Sequence, residues 1–379
     1  RNAAYLRQAD ITEPISYRSL TLAQTLLPDD TVLLDYFILE NQILLFVVTQ
    51  SDISVYQLGD ILAVVEEWME YFRLNCSHIA TQIANPSIDY VDMLTRQAQE
   101  ILHELYTLLI QPAIEKMTQY ESCVIIPHRS LRDLPYHALF SGTHYLIEQF
   151  QISYLPNLTL LQYCQPHPPR IQMDSTNGCD DGSVIFGYPN GHLWHTVEEA
   201  NQVAAILGGA VYTNEQATLK NVRQTVPKAR IVHIAAHAMF HPEKPLFSGL
   251  SLADGVLTTL DIFQEIRFQA SLVTLSACWT GAHAISQGDE LLGLSRSLFY
   301  AGTATLVACY WPVEDGAATH LMTLFYTYLS NDMEKGRALQ QAQLQLIQQR
   351  VAVVAEQQWL YAHPYIWGAY YLQGHAGPL

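Results

Sequence analysis

The stretch Ser271-Leu-Val-Thr-Leu-Ser-Ala-Cys-Trp-Thr-Gly281 decides how the chain is read. Leu272, Val273 and Leu275 are apolar and Thr274 is β-branched, so the segment opens as a strand without polar alternation. Such unbroken apolar character suits a parallel sheet covered on both faces. Small residues follow, Ser276 and Ala277, and the run reaches Cys278 before Thr280 and Gly281. A cysteine at the carboxyl end of a buried parallel strand lies where open α/β sheets carry their chemistry.

A second stretch has the same form. Ala229-Arg-Ile-Val-His-Ile-Ala-Ala-His237 is apolar, becomes small near its end and stops on a titratable residue. Two neighbouring parallel strands ending in His237 and Cys278 bring imidazole and thiol to one sheet edge. A free thiol titrates near pH ~8.5 and is mostly protonated at neutral pH. An adjacent imidazole takes that proton and supplies the nucleophilic thiolate. Cys309 sits in an equally apolar strand without a histidine-bearing partner and reads as core.

Further motifs fall around these two. The segments Pro245–Gly255, Leu275–Gly281, Gly288–Gly302, Tyr310–Asp315 and His363–Gly368 follow the strand ending in His237 in a fixed order. Together they resemble the CHAT family, caspase-like cysteine peptidases in one clan with separase, metacaspases and gingipains. The resemblance runs from about Val184 to the C-terminus. The segment His128–Leu139, with its Leu134-Pro-Tyr-His-Ala-Leu139, resembles the part that precedes the protease domain in that family.

The resemblance implies peptide-bond hydrolysis through a thioester, with Cys278 as nucleophile, His237 as base and the N–H groups of Ala238 and Cys278 as the oxyanion hole. Two departures stand out. The usual His-Gly is His237-Ala238 here, which keeps the N–H but loses freedom for positive φ. The acid common after the cysteine is replaced by Trp279. Candidate substrate-binding residues are Asp289, Glu290, Trp279 and Ser248. The acidic pair Asp289-Glu290 either complements a helix N-terminus or forms a wall for a basic P1 side chain.

Other chemistry finds little support. His233, His237 and His241 recur every four residues, as a helical metal site requires. The β-branched Ile231, Val232 and Ile234 make the segment a strand, so no metal site is expected. No glycine pattern fits a phosphate loop, and the reaction needs no cofactor. His128, His137, His144 and His363 read as structural or surface residues.

The 379 residues allow two domains, and with 49% hydrophobic and 15% charged residues the chain is expected to bury a large core. A net charge of −17 with no Lys/Arg cluster argues against nucleic-acid binding. The six cysteines have no paired spacing, which reads as reduced and cytoplasmic. Val32–Val48 is apolar but broken by Asp35, Glu40 and Asn41, so it reads as two strands and not a membrane span. The opening Arg1 reads as a fragment or processed form.

The expected fold class is α/β: a caspase-like α/β/α sandwich with a mostly parallel sheet, preceded by a pseudo-protease α/β half. The expected organisation is a helical entry segment over 1–27, the pseudo-caspase-like domain over 28–165, a Pro/Gly/Asp-rich linker over 166–181 and the protease domain over 182–379. The reading is a cysteine endopeptidase acting on protein substrates, regulated within a bacterial signalling or defence system. A regulatory partner or an upstream helical-repeat region outside this chain is the expected accessory. Three other readings stay open: a catalytically silent interaction module of the same fold, a Cys-dependent acyltransferase, and an autoinhibited zymogen.

Overall fold

The computed structural model describes residues 23–82, 87–164, 182–189, 194–239, 241, 243–276, 288–313, 315–349, 351–354, 357–360 and 362–379. Of the expected entry helix, residues 23–26 form one helical turn before Pro28. Its remainder, and the expected linker 166–181, lie outside the described residues.

The first half opens with β1 (Thr31–Leu39), β2 (Gln42–Val48) and β3 (Ile53–Gly59), an antiparallel meander. The β1–β2 connection is tight, with Glu40 at a positive φ of 56°. Helices Leu62–Gln82 and Ile88–Leu109 follow. The second buries Val91, Leu94, Ala98, Leu102, Leu105 and Leu109, the 3.6-residue stripe of an amphipathic helix. Pro112 enters a short turn just beyond it, as expected of a residue that cannot continue the backbone ladder. β4 (Ser122–Ile126) and β5 (Gln151–Tyr154) complete this half.

The second half alternates strand and helix. β6 (Ser183–Gly187), helix Trp194–Leu207, β7 (Ala210–Thr213), helix Leu219–Thr225 and β8 (Ile231–Ala235) come first. A small sheet of β9 (Ala238–Met239), β10 (Gly249–Leu252) and β11 (Gly255–Thr258) follows, then helix Thr259–Gln264. β12 (Leu272–Ser276), helix Gly288–Ala301, β13 (Thr305–Cys309) and helices Asp315–Ser330 and Lys335–Gln349 continue the pattern. A hairpin of β14 (Val351–Val354) and β15 (Gln357–Leu360) precedes the last strand, β16 (Tyr370–Gly374).

One expectation fails here. Tyr365–Leu372 reads as a continuous strand, yet Pro364–Trp367 is a helical turn and pairing starts only at Tyr370. The His363 side chain caps that turn by accepting the Tyr365 N–H at 3.0 Å, and Pro364 supplies the helical φ at its first position. Local capping overrides the strand propensity of the aromatic residues.

The halves share one eleven-stranded sheet, in the order β3-β2-β1-β4-β5-β16-β13-β12-β8-β6-β7. Seven of its ten neighbouring pairs are parallel. β1, β4, β5 and β16 run one way; β13, β12, β8, β6 and β7 run the other, because β16 is antiparallel to β13 and parallel to β5. The two parallel blocks therefore direct their carboxyl ends to opposite edges of the sheet.

The joint is aromatic, and both ring nitrogens of His137 have hydrogen-bond partners in it. Its Nδ1 lies 2.8 Å from Tyr154 Oη and its Nε2 2.9 Å from the Gly368 carbonyl. Its ring stacks on Tyr310, and Tyr154 meets Tyr371 edge-on. Gln340 Nε2 donates to the carbonyls of Ile147 and Phe150, and His363 Nε2 bonds Asn75 Oδ1. His137 and His363, expected to be structural or surface residues, are buried ties between the halves.

Candidate active site

Strand register builds the site. β8 and β12 are parallel neighbours, with Leu272 beside Ile231 and Ser276 beside Ala235. At the end of this pairing the Ala236 N–H donates to the Ser276 carbonyl at 3.3 Å. The Ser276 hydroxyl meets Tyr370 Oη at 2.9 Å, which fixes the last residue of β12 against β16. His237 follows one residue later and is 9% exposed. Cys278 and Trp279 lie outside the described residues. Asp289 and Glu290 lie in the first turn of helix Gly288–Ala301, and their side chains are likewise outside what is described.

The chain leaves His237 directly into β9, the edge strand of the small sheet. Ala238 is the register partner of Leu250, and the Ser251 N–H donates to the His237 carbonyl at 2.8 Å. A bond flanking the pair in this way marks it as non-hydrogen-bonded. The Ala238 N–H therefore points away from β10, toward the outer edge of the sheet. Ala238 is also absent from the residues with positive φ. Alanine in place of glycine thus carries no backbone strain here, and the donor that glycine would offer is retained.

Ser248 is 2% exposed and serves as a brace. Its Oγ accepts the His241 N–H at 3.0 Å, and its carbonyl accepts from the Thr259 N–H at 2.8 Å and Thr259 Oγ1 at 2.9 Å. These bonds tie both ends of the loop after His237 to helix Thr259–Gln264. That helix starts with a capping box in which Thr258 and Asp261 satisfy each other's backbone N–H groups.

His233 belongs to a different, interior network. Its Nε2 is 3.0 Å from Glu199 Oε1, its Nδ1 is 3.2 Å from Tyr326 Oη, and Tyr326 Oη donates to Thr274 Oγ1 at 2.8 Å. All four residues are buried. The apolar pattern of β8 does not report this network, whose partners lie on helix Trp194–Leu207, helix Asp315–Ser330 and β12. Among the described residues no three His, Cys, Asp or Glu side chains form a metal-ligand group. His241 is exposed, in the loop beyond β9.

The described thiols, Cys76, Cys123, Cys164 and Cys309, are all buried. Burial pushes the Cys76 and Cys123 thiols far up, and that of Cys164 up to about 12. Cys309 Sγ donates to the Trp311 carbonyl. A buried thiol held protonated is a poor nucleophile.

The fold is that of a caspase-like α/β protein, and the comparisons agree. The model of the CHAT domain matches residues 99–375, and the chain belongs to that family. Among solved structures it is similar to Saccharomyces cerevisiae separase in complex with securin, with a TM-score of 0.54 at 9% identity. That match covers 94% of this chain and 30% of separase. It is also similar to the Arg-specific cysteine proteinase gingipain R, with a TM-score of 0.48 at 10% identity, over 74% of this chain and 68% of gingipain. No curated protein matches. At that identity the likeness to separase shows the fold alone. No described helix is long and apolar enough to cross a membrane.

Proposed function

We propose that the chain is a cysteine endopeptidase with Cys278 as nucleophile and His237 as its base. The register of β8 against β12 carries this reading. His237 and Cys278 each stand two residues beyond the paired positions Ala235 and Ser276. Two residues span at most about 7 Å, and adjacent strands lie about 4.8 Å apart. The burial of four of the six cysteines supports the same choice.

In the reaction His237 takes the thiol proton as Cys278 Sγ attacks the scissile carbonyl. The N–H groups of Ala238 and Cys278 receive the developing oxyanion. The carbon–nitrogen bond then breaks, His237 gives the proton to the leaving amine, and a thioester remains. Water, deprotonated by the same imidazole, hydrolyses it. Asp289 and Glu290 provide the acidic wall of a basic P1 pocket. In this reading the chain is a regulated protease of a bacterial signalling or defence system, cytoplasmic, controlled by a partner or an upstream helical-repeat region. Trp279, in place of the family's acid, favours a second reading: a silent interaction module of the same fold.

A thiol-reactive peptide probe and a proteome-wide search for new N-termini test the proposal. Labelling at Cys278 and new N-termini are expected from the native chain, and neither from Cys278→Ala. His237→Ala is expected to remove cleavage with the fold intact, and the double variant to be no worse than either single one. Cleavage that survives Cys278→Ala refutes the assignment.

A further inference from the structure

The residues just beyond His237 form an exposed apolar surface that the chemistry described so far leaves unused. Met239, next after Ala238, is 38% exposed. Leu246 and Phe247, in the turn Pro245–Phe247, are 53% and 51% exposed. Phe247 also borders a cleft of about 580 Å³ whose other described lining residues are His241, Glu243 and Lys244. Phe263, 41% exposed and stacked on Tyr300 at 4.2 Å, lies on the helix that packs against this turn. Exposed large apolar residues gathered at one place usually await a partner.

The loop holds this surface firmly. Besides the Ser248 brace, the Lys244 N–H donates to the His241 carbonyl at 3.0 Å and the Phe247 N–H to the Lys244 carbonyl at 2.9 Å. Backbone fixed at these described positions lowers the entropic cost of binding there. Among the described lining residues the charged ones are one Glu and one Lys, which favours neither sign.

We infer that the apolar surface of Met239, Leu246 and Phe247 is the leaving-group subsite of the peptidase and takes a large apolar side chain, such as Leu, Met or Phe, at the first or second position after the scissile bond. The inference rests on the peptidase reading above. His237 protonates the leaving nitrogen, so the residue carrying that nitrogen must lie against His237 when the bond breaks. The strand leaving His237 reaches Met239 in two residues, about 7 Å at strand rise. A side chain one or two residues past the cut is thereby brought over Met239, Leu246 and Phe247. The substrate class is therefore an extended peptide segment with an apolar residue downstream of the cut. It is chosen independently of the P1 pocket, which lies on the acyl side.

Burying one large apolar side chain is worth roughly 10- to 100-fold in kcat/KM. The test is cleavage of a proteome-derived peptide library by the full chain, reading residues on both sides of every cut. Large apolar residues are expected to be enriched at least about tenfold over Asp, Glu and Gly at one of the first two downstream positions. Phe247→Ala and Leu246→Ala, both on the surface, are expected to erase most of that enrichment while leaving the upstream preference and the rate of Cys278 alkylation unchanged. Cutting without downstream selectivity, or selectivity untouched by both variants, overturns this inference and leaves the peptidase reading standing. A library that stays uncut overturns both.

Discussion

Replacing His137 with leucine tests whether the joint between the two halves works as described. At neutral pH the variant loses the 2.9 Å bond from Nε2 to the Gly368 carbonyl, the one partner described for that buried oxygen. Tyr154 Oη keeps the His137 backbone N–H, at 3.2 Å, so its loss is partial. One orphaned buried acceptor costs about 1–3 kcal/mol. Acid changes the balance. Burial holds His137 down at about 4, from an ordinary 6.5, so between these values the unfolded chain binds a proton that the folded one refuses. A group depressed on folding contributes fully above its unfolded value and loses that contribution as pH falls toward its folded one. At about 1.4 kcal/mol per pH unit this amounts to roughly 3 kcal/mol between pH 6.5 and 4. The leucine variant has no such loss at this position. Its stability curve is expected to lie about 1–3 kcal/mol below the parent at pH 7 and to meet or cross it near pH 4–5. His363, held down at about 3 by burial, keeps its own acid loss in both proteins. Urea unfolding at pH 7, 6, 5 and 4.5 gives the two curves. Parallel curves would refute the buried neutral imidazole at the joint.

Thiol accessibility is a second check: Cys76, Cys123, Cys164 and Cys309 are expected to resist alkylation in the native chain and to react only in denaturant, while alkylation that reaches Cys278 stops cleavage and chelators do not. Limited proteolysis is expected to cut between 166 and 181, where Pro, Gly and Asp concentrate, and the fragments to co-elute in size-exclusion chromatography because β5 and β16 are sheet neighbours; separation of the nicked halves would contradict the joint. At the oxyanion position, Ala238→Gly is expected to leave kcat/KM within about twofold and stability lower by about 0.5–1 kcal/mol. Ala238→Pro, on an edge strand that tolerates proline, removes the N–H and is expected to lower kcat about 100- to 1,000-fold; steady-state rates on one peptide decide both.

The legible part of this chain was whatever local pattern encodes. The meander from Thr31 to Gly59, the broken helix before Pro112 and the parallel strands at Ile231 and Leu272 follow from runs and periods a few residues long. The placement of His237 at the carboxyl end of β8 was legible for the same reason. What escaped was either short or distant. β9 has two residues and exists only because β10 pairs with it. The Pro364–Trp367 turn is set by the His363 cap, which the strand propensity of the aromatic residues around it masks. The neighbouring strands β5 and β16 are more than 200 residues apart in sequence, and no local period reports such a pairing. Nor did anything local show that Met239, Leu246 and Phe247 stay exposed.

The opposed direction of the two strand blocks separates the work of the halves. Of the two parallel blocks only the second sends its carboxyl ends to the edge where His237 stands; β1, β4 and β5 start at that edge and end at the opposite one. Yet the second half does not complete its own sheet. β16, the last strand, has β13 on one side and β5 of the first half on the other, and Tyr370, Tyr371 and Leu372 on it are all buried. Residues 182–379 alone would present β16 as an open, aromatic edge, the kind of strand that invites aggregation. The Ser276 hydroxyl at the end of β12 rests on Tyr370, and Tyr370 is held by Gln343 Nε2 through its carbonyl at 2.9 Å. Through β5 the first half thus supports the strand on which the end of β12 rests, and Phe72 meets Trp311 edge-on just beyond β13. The family match begins at residue 99, ahead of β4 and β5, and so takes in both sides of that joint.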